Sequence, residues 1–205
     1  MCIRDRRKDF LNGKVPGRPY KSLSNIPFAS TAEMLNKLLG RVSSLEHGLF
    51  FVQKEAAMRY MGRPETTQIS LLSKMYYDLD IYKELDSNDF SPIPSVDIVV
   101  LEAKRSSKIE GDPDLYEDFV TYVFNQRNPD VAITLKKLFT FNQFKHIRAW
   151  LNTHNVKKPS QIPEFKWLEM FKYMSTSEKS LSKVKGFSKK NKYSHQKRTK
   201  VHRKR

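Results

Sequence analysis

Tyr20-Lys21-Ser22-Leu23-Ser24, continued by Asn25-Ile26-Pro27-Phe28 and then by a helical run from Ser30 to Leu39, is the stretch that decides the fold. The first five residues read as a strand. Thr31, Leu35, Leu38 and Leu39 fall near one helical face, with Ser30 or Thr31 as the N-cap. A strand feeding a helix through a short turn is the repeating unit of open α/β sheets, which bind ligands beyond the carboxyl ends of their strands. Pro27 restricts that turn so that main-chain carbonyls can face outward. Asn25 can accept a hydrogen bond from an exocyclic amino group, and Phe28 offers a face on which a base stacks. Taken alone, the four residues also fit an ordinary strand-to-helix turn with Asn25 bonded locally and Phe28 in the core.

Working outward, Leu49-Phe50-Phe51-Val52 reads as a short buried strand, followed by a helix over Lys54 to Met61 and another over Gln68 to Lys74. The alternation from Tyr76 to Tyr82 predicts a strand near the sheet edge, and Ile98 to Ala103 the last one. Between them Phe90-Ser91-Pro92-Ile93-Pro94 is a proline-rich turn that would present an aromatic ring on a rigid loop. Lys104 to Pro113, polar and containing Gly111, is the best domain boundary. Beyond it, helical spacing predicts helices around Leu115 to Phe124, Val131 to Leu138, Asn142 to Leu151 and Glu164 to Tyr173, with Trp150 and Trp167 as core anchors. The expected architecture is α/β: the back half of a doubly wound sheet at residues 7–104, then a small helical domain at 112–176.

Composition narrows the function classes. The 205 residues are 39% hydrophobic and 12% aromatic, enough for a real core. Apolar runs are far shorter than a membrane span, no signal-peptide pattern occurs, and a cytoplasmic location without membrane partner is the expectation. The single cysteine, Cys2, leaves no disulfide framework or thiolate metal site, and the histidines lack ligand spacing, so no metal is expected. The net charge is +16, and twelve Lys/Arg with no acidic residue fall between Lys179 and Arg205, which leaves +4 for the rest. Residues 179–205 therefore read as a disordered basic tail that raises affinity for phosphate without reading sequence, with Lys189, Lys190 and Arg198 among its contacts.

Ser24-Asn25-Ile26-Pro27-Phe28 after a strand, and Phe90-Ser91-Pro92-Ile93-Pro94-Ser95-Val96-Asp97 leading into Ile98-Val99-Val100-Leu101, stand in the order and at the separation of two motifs of the ribosomal RNA adenine N6-dimethyltransferases, N-I/L-P-Y/F and F-x-P-x-P-x-V-D. Phe139-Thr140-Phe141-Asn142-Gln143 resembles the F-T-x-x-Q segment of the Erm branch. The resemblance covers about Asp9 to Tyr173 and implies a Rossmann-like, S-adenosylmethionine-dependent methyltransferase sheet followed by an all-α domain. It implies methyl transfer to N6 of an adenine in ribosomal RNA, 23S by the Erm likeness, and resistance to macrolide-type antibiotics. Gln53-Lys54-Glu55-x-Ala57-x-Arg59 is also close to the KsgA/Dim branch, which acts on small-subunit RNA, although the F-x-x-R-R-K-x-L run of that branch is replaced by Phe124-Asn125-Gln126-Arg127-Asn128-Pro129. A KsgA-like enzyme and a non-catalytic RNA-binding fragment are thus the alternatives.

The resemblance also assigns roles. Asn25 and the Ile26 carbonyl hold the amine, Pro27 sets their turn, and Phe28 and Phe90 stack on the flipped base. Asp9, in Asp9-Phe10-Leu11, and Asn25 contact the cofactor. Lys54, Arg59 and Arg63 meet phosphates, and the protein acts as a monomer on ribosomal RNA. No G-x-G-x-G run precedes Asp9, so the chain is expected to lack roughly the first third of such a catalytic domain and to be inactive alone. Residues 1–6 read as a non-native start.

Overall fold

The computed structural model describes residues 9–106, 111–128 and 130–191. The chain forms two compact units. One takes residues up to Pro64 together with the stretch from Ser73 through the last strand, and the other takes Glu65–Leu72 together with the described residues from Gly111 on.

The first unit is a four-stranded sheet. β1 (Tyr20–Asn25) leads through a 3-10 turn (Phe28–Ser30) into α1 (Thr31–Leu38), and β2 (Leu45–Gln53) runs straight into α2 (Lys54–Met61). β3 (Tyr77–Glu84) and β4 (Ile98–Arg105) complete it, in the order β1-β2-β4-β3. β1 and β2 are parallel, whereas β4 is antiparallel to both of its neighbours, β2 and β3. This is the expected α/β class. β2 starts four residues earlier than the apolar run Leu49 to Val52 indicates, because it is paired on both sides: His47 lies opposite Lys21 on β1 and Lys104 on β4. Partners on two sides, not side-chain type, make Glu46-His47-Gly48 a strand. Gly48 is required there, since a Cβ would sit 2.4 Å from the Phe50 ring. β3 begins at Tyr77 rather than Tyr76, whose N–H and carbonyl are taken by Ser73 and Ser106.

α2 packs on β2, β3 and β4, so Phe50, Val52, Val99 and Leu101 are fully buried with Ala57 of the helix. The helix ends in a left-handed Gly62 (φ 69°), where Arg63 N–H returns to the Met58 carbonyl at 2.9 Å. The Tyr60 hydroxyl, 2.8 Å from Asn36 Oδ1 and 3.0 Å from the Ala32 carbonyl, ties α2 to α1, and burial raises its pKa.

The second unit is helical: α4 (Pro113–Phe124), α5 (Val131–Leu138), α6 (Phe141–Thr153), α7 (Glu164–Ser175) and α8 (Glu178–Val184). Between the sheet elements, α3 (Gln68–Lys74) begins in this unit. Gln68 Nε2 donates to Thr121 Oγ1 at 3.2 Å and Thr66 N–H to the Ser160 carbonyl at 2.9 Å, which is why Glu65–Leu72 joins the helices rather than the sheet. Asp112 and Asp130 cap α4 and α5 by accepting from Asp114 N–H and Ala132 N–H. The core is aromatic: Trp167, Phe119, Phe171 and Tyr116 are buried, with the Trp167 indole donating to the Ile162 carbonyl. Trp150, by contrast, is not a core anchor. It is half-exposed, stacked on His154 at 4.4 Å with the Lys166 ammonium 5.2 Å from its ring centre.

The basic tail is also corrected at its root. Residues from Lys179 onward were expected to be disordered, yet α8 buries Ser180 and Val184, and Asp118 of α4 accepts from Gly186 N–H at 2.6 Å and Ser188 N–H at 2.8 Å. Phe187 meets the edge of Tyr122 at 5.1 Å. A few apolar residues and one buried carboxylate are enough to dock a segment of high charge. Arg198 lies outside the described residues.

Candidate active site

Strand direction gathers the motifs. Because β1 and β2 are parallel, Asn25 and Gln53 end at the same edge of the sheet. β4 starts at that edge, with Ile98 opposite Gln53, and β3 finishes there, with Glu84 opposite Val99. The turn after β1 and the β3–β4 loop carrying Phe90 therefore emerge together. They are two strand spacings apart, about 10 Å.

Each residue of the turn has a separate job. Ile26 is fully buried and its N–H donates to the Phe51 carbonyl at 3.2 Å, which ties the end of β1 to β2. Pro27 (φ −58°, ψ 133°) turns the chain, and its carbonyl accepts from Ser30 N–H at 3.0 Å and Thr31 Oγ1 at 3.2 Å to start the helical run. Asn25 is exposed at the strand end, and its side-chain amide has no hydrogen-bond partner among the described residues. Phe28 is 45% exposed, so it is not the core residue of an ordinary turn. An open amide acceptor, an adjacent main-chain carbonyl and an exposed ring can hold a planar amine.

Phe90 is half-buried at the end of a 3-10 turn (Ser87–Asp89), which Asp86 caps by accepting from Asn88 N–H at 2.9 Å. Ile93 and Val96 of the same loop are exposed. Lys54 stitches this edge together: its N–H donates to the Asp97 carbonyl at 2.9 Å and its ammonium meets Glu84 Oε1 at 2.8 Å. The hydrogen bond and charge of Glu84 raise the Lys54 pKa. The lysine expected on a phosphate thus has its ammonium in a partly exposed ion pair with Glu84. Arg59 is exposed in the last turn of α2, and Arg63 is 3.6 Å from Asp80.

Asp9 is placed in a turn of its own. Its carboxylate accepts from Leu11 N–H at 2.9 Å and Asn12 Nδ2 at 2.6 Å, and the Lys37 ammonium at the end of α1 holds the Phe10, Leu11 and Gly13 carbonyls. Among the described residues, no hydrogen bond joins Asp9 to Asn25. Lys189 and Lys190 are exposed in the helical unit. Among the described residues, no group of three His, Cys, Asp or Glu side chains is placed to hold a metal, and no helix is long and apolar enough to cross a membrane.

The segment Phe139-Thr140-x-x-Gln143 proves to be a helix start. Thr140 Oγ1 accepts from Gln143 N–H, Gln143 Oε1 accepts from Thr140 N–H, and Gln143 Nε2 reaches the Tyr173 carbonyl at 3.1 Å. Its role is to fix α6 against α7.

Comparison with known proteins bears on the family and the fold. Residues 7–177 match the family described as ribosomal RNA adenine dimethylase. An rRNA adenine N-6-methyltransferase of Bacillus licheniformis is 27% identical over 172 residues, which is 82% of this chain and 60% of that protein. A ribosomal RNA small subunit methyltransferase A of Mycoplasmopsis pulmonis is 26% identical over 161 residues, 73% of this chain and 64% of that one. The chain thus spans somewhat under two thirds of the length of these curated relatives. The crystal structure of the 23S rRNA methyltransferase ErmE superposes with a TM-score of 0.68 at 20% identity, covering 82% of this chain and 70% of that one, and so shares the fold.

Proposed function

Given that the chain belongs to the ribosomal RNA adenine dimethylase family, we propose that it serves methyl transfer from S-adenosylmethionine to N6 of an adenine in 23S ribosomal RNA. The observation that carries this reading is the joint placement of Asn25, the Ile26 carbonyl and Phe28 at the end of β1 with the Phe90 loop at the same sheet edge.

Adenine N6 is a poor nucleophile, because its lone pair is delocalised into the ring. The Asn25 amide oxygen and the Ile26 carbonyl accept its two hydrogens and favour a more tetrahedral nitrogen. Phe28 and Phe90 compensate the stacking lost when the base leaves the RNA helix. Rate acceleration comes mainly from fixing the amine in line with the methyl donor. No strong base is needed, since the nitrogen becomes acidic once alkylated. Bound S-adenosylmethionine supplies the electrophilic methyl group. The residues here that fit it are Asn25, with its open amide, and Asp9, whose two engaged oxygens each keep a lone pair. Arg59, Arg63, Lys189 and Lys190 are exposed cations suited to RNA phosphates.

Two observations favour the large-subunit target: the Phe139-Thr140-x-x-Gln143 segment and the loss of the basic run after Phe124. The Gln53-Lys54-Glu55 pattern and the Mycoplasmopsis relative favour a small-subunit target as the second reading. Labelled methyl transfer to unmethylated 23S and 16S RNA by the full-length protein separates them. Label in 23S adenine, with macrolide resistance on expression in a sensitive bacterium, is expected. Label confined to 16S RNA establishes the second reading, and label in neither refutes both.

A further inference from the structure

β2 ends on Gln53, and the strand register fixes its direction. Asn25 lies opposite Phe51, and Gln53 follows Phe51 by two residues, so Asn25 and Gln53 leave the same face of the sheet. Gln53 also stands opposite Ile98, the residue with which β4 starts directly after the Phe90 loop. It is therefore the residue between the two halves of the site. It sits one strand from Asn25, roughly 8 Å away by strand spacing and rise, and one strand from the root of the Phe90 loop.

Its side chain is not used by the fold. Gln53 occupies the N-cap position of α2 yet makes no capping hydrogen bond, and its half-buried amide has no partner among the described residues. The next residue, Lys54, is by contrast bound through both ends, to Asp97 and Glu84. Among the described residues no buried side-chain nitrogen or oxygen lacks a hydrogen-bond partner, so the Gln53 amide is reached by solvent and stands open to an incoming partner.

The chemistry of the substrate supplies that partner. The Watson–Crick edge of adenine presents the two N6 hydrogens and the N1 lone pair. Asn25 and the Ile26 carbonyl take the hydrogens, which leaves N1 as an acceptor stripped of its RNA partner or water. We propose that Gln53 is a positioning and specificity residue of this site, donating from Nε2 to N1 of the target adenine and so holding the base edge square to Asn25. This assignment rests on the N6-methylation reading above. It adds discrimination at a second atom of the ring, since a base with no acceptor at that position leaves the amide unpaired.

The test pairs substrate with variant. Single-turnover methyl transfer by the full-length protein is measured on matched RNA hairpins carrying adenosine or 1-deazaadenosine, in which C–H replaces N1, at the target position. For the wild type the 1-deazaadenosine RNA should react roughly five- to tenfold more slowly, the size of one hydrogen bond. Gln53→Ala should lose the same factor on adenosine and nothing further on 1-deazaadenosine, with a melting temperature within about 2 °C of wild type. If the alanine variant fails to fold, Gln53→Met, which keeps the bulk without the amide, takes its place. Equal losses on both RNAs, or no loss on adenosine, overturn the assignment. A wild type that methylates adenosine RNA without sensing N1 refutes Gln53 alone, whereas one that methylates neither RNA refutes the N6 reading and this assignment with it.

Discussion

Replacing Asn25 with alanine separates catalysis from folding better than any other change at this site. Asn25 is exposed, and its amide has no partner among the described residues, so truncation should alter stability by no more than about 0.5 kcal/mol. For a chain of this size that is about 1–2 °C in melting temperature. On the proposed mechanism, however, the same change removes the acceptor of one N6 hydrogen in the transition state. An unsatisfied group there costs about 1–3 kcal/mol, and by the rule of tenfold per 1.4 kcal/mol this is roughly 5- to 150-fold in rate. Single-turnover methyl transfer should therefore fall by a factor in that range while the melting curve stays in place. The neighbouring Ile26 behaves in the opposite way. Its side chain is fully buried, so Ile26→Ala should cost about 2–5 kcal/mol of stability while the carbonyl that serves the amine is retained. A wild-type rate in Asn25→Ala would remove the clamp from the mechanism. A loss of rate accompanied by a large fall in melting temperature would show that the residue acts through the fold.

Other consequences are open to measurement. Asp118→Ala should free the segment after α8, seen as faster hydrogen exchange at the Gly186 and Ser188 amides and a loss of about 1–3 kcal/mol; unchanged exchange would contradict the latch. Glu102 has its pKa lowered mainly by the Lys104 hydrogen bond, helped by His47, so its ionised form stabilises the fold above the ordinary glutamate range and that stability is lost as pH falls through the lowered value. Glu102→Gln should flatten the acid side of the stability profile, and a profile identical to wild type there would disprove the coupling. Deleting residues 192–205, which leaves the docked segment intact and removes seven Lys/Arg, should weaken binding to matched and mismatched RNA alike and reduce the salt slope. Phe90→Ala should spare that binding and cut methylation, and loss of sequence discrimination on tail deletion would reverse the assignment.

Legibility in the sequence followed a physical division between local and non-local causes. The helices Lys54–Met61, Gln68–Lys74 and Val131–Leu138 have the bounds that their own apolar spacing predicts, because each carries its burial pattern within itself. The ends of β2 were hidden, since Glu46 and His47 are polar and become strand only through partners on β1 and β4. Trp150 and Trp167 look alike in their helices, yet only Trp167 faces a core built by α4. The docking of the segment after α8 depends on Asp118, far upstream in the chain, and local charge density points the wrong way there.

The same division runs through the site. Asn25 to Phe28 could be proposed from sequence because they are contiguous with the turn that presents them, and Phe90 because its prolines mark the loop. Gln53 could not, because its place lies in the strand order: only when β2 is known to run between β1 and β4 does a glutamine at its end stand between the residues proposed as amine clamp and aromatic face. The Thr140 and Gln143 pair shows the converse. Residues that resemble a branch-specific segment in sequence form a capping box in the structure. A motif carries function only when the fold brings its side chains to a place where the protein itself has no use for them. Asn25 and Gln53, whose amides have no hydrogen-bond partner among the described residues, are the side chains proposed for that part, whereas Lys54 is engaged through its N–H and its ammonium.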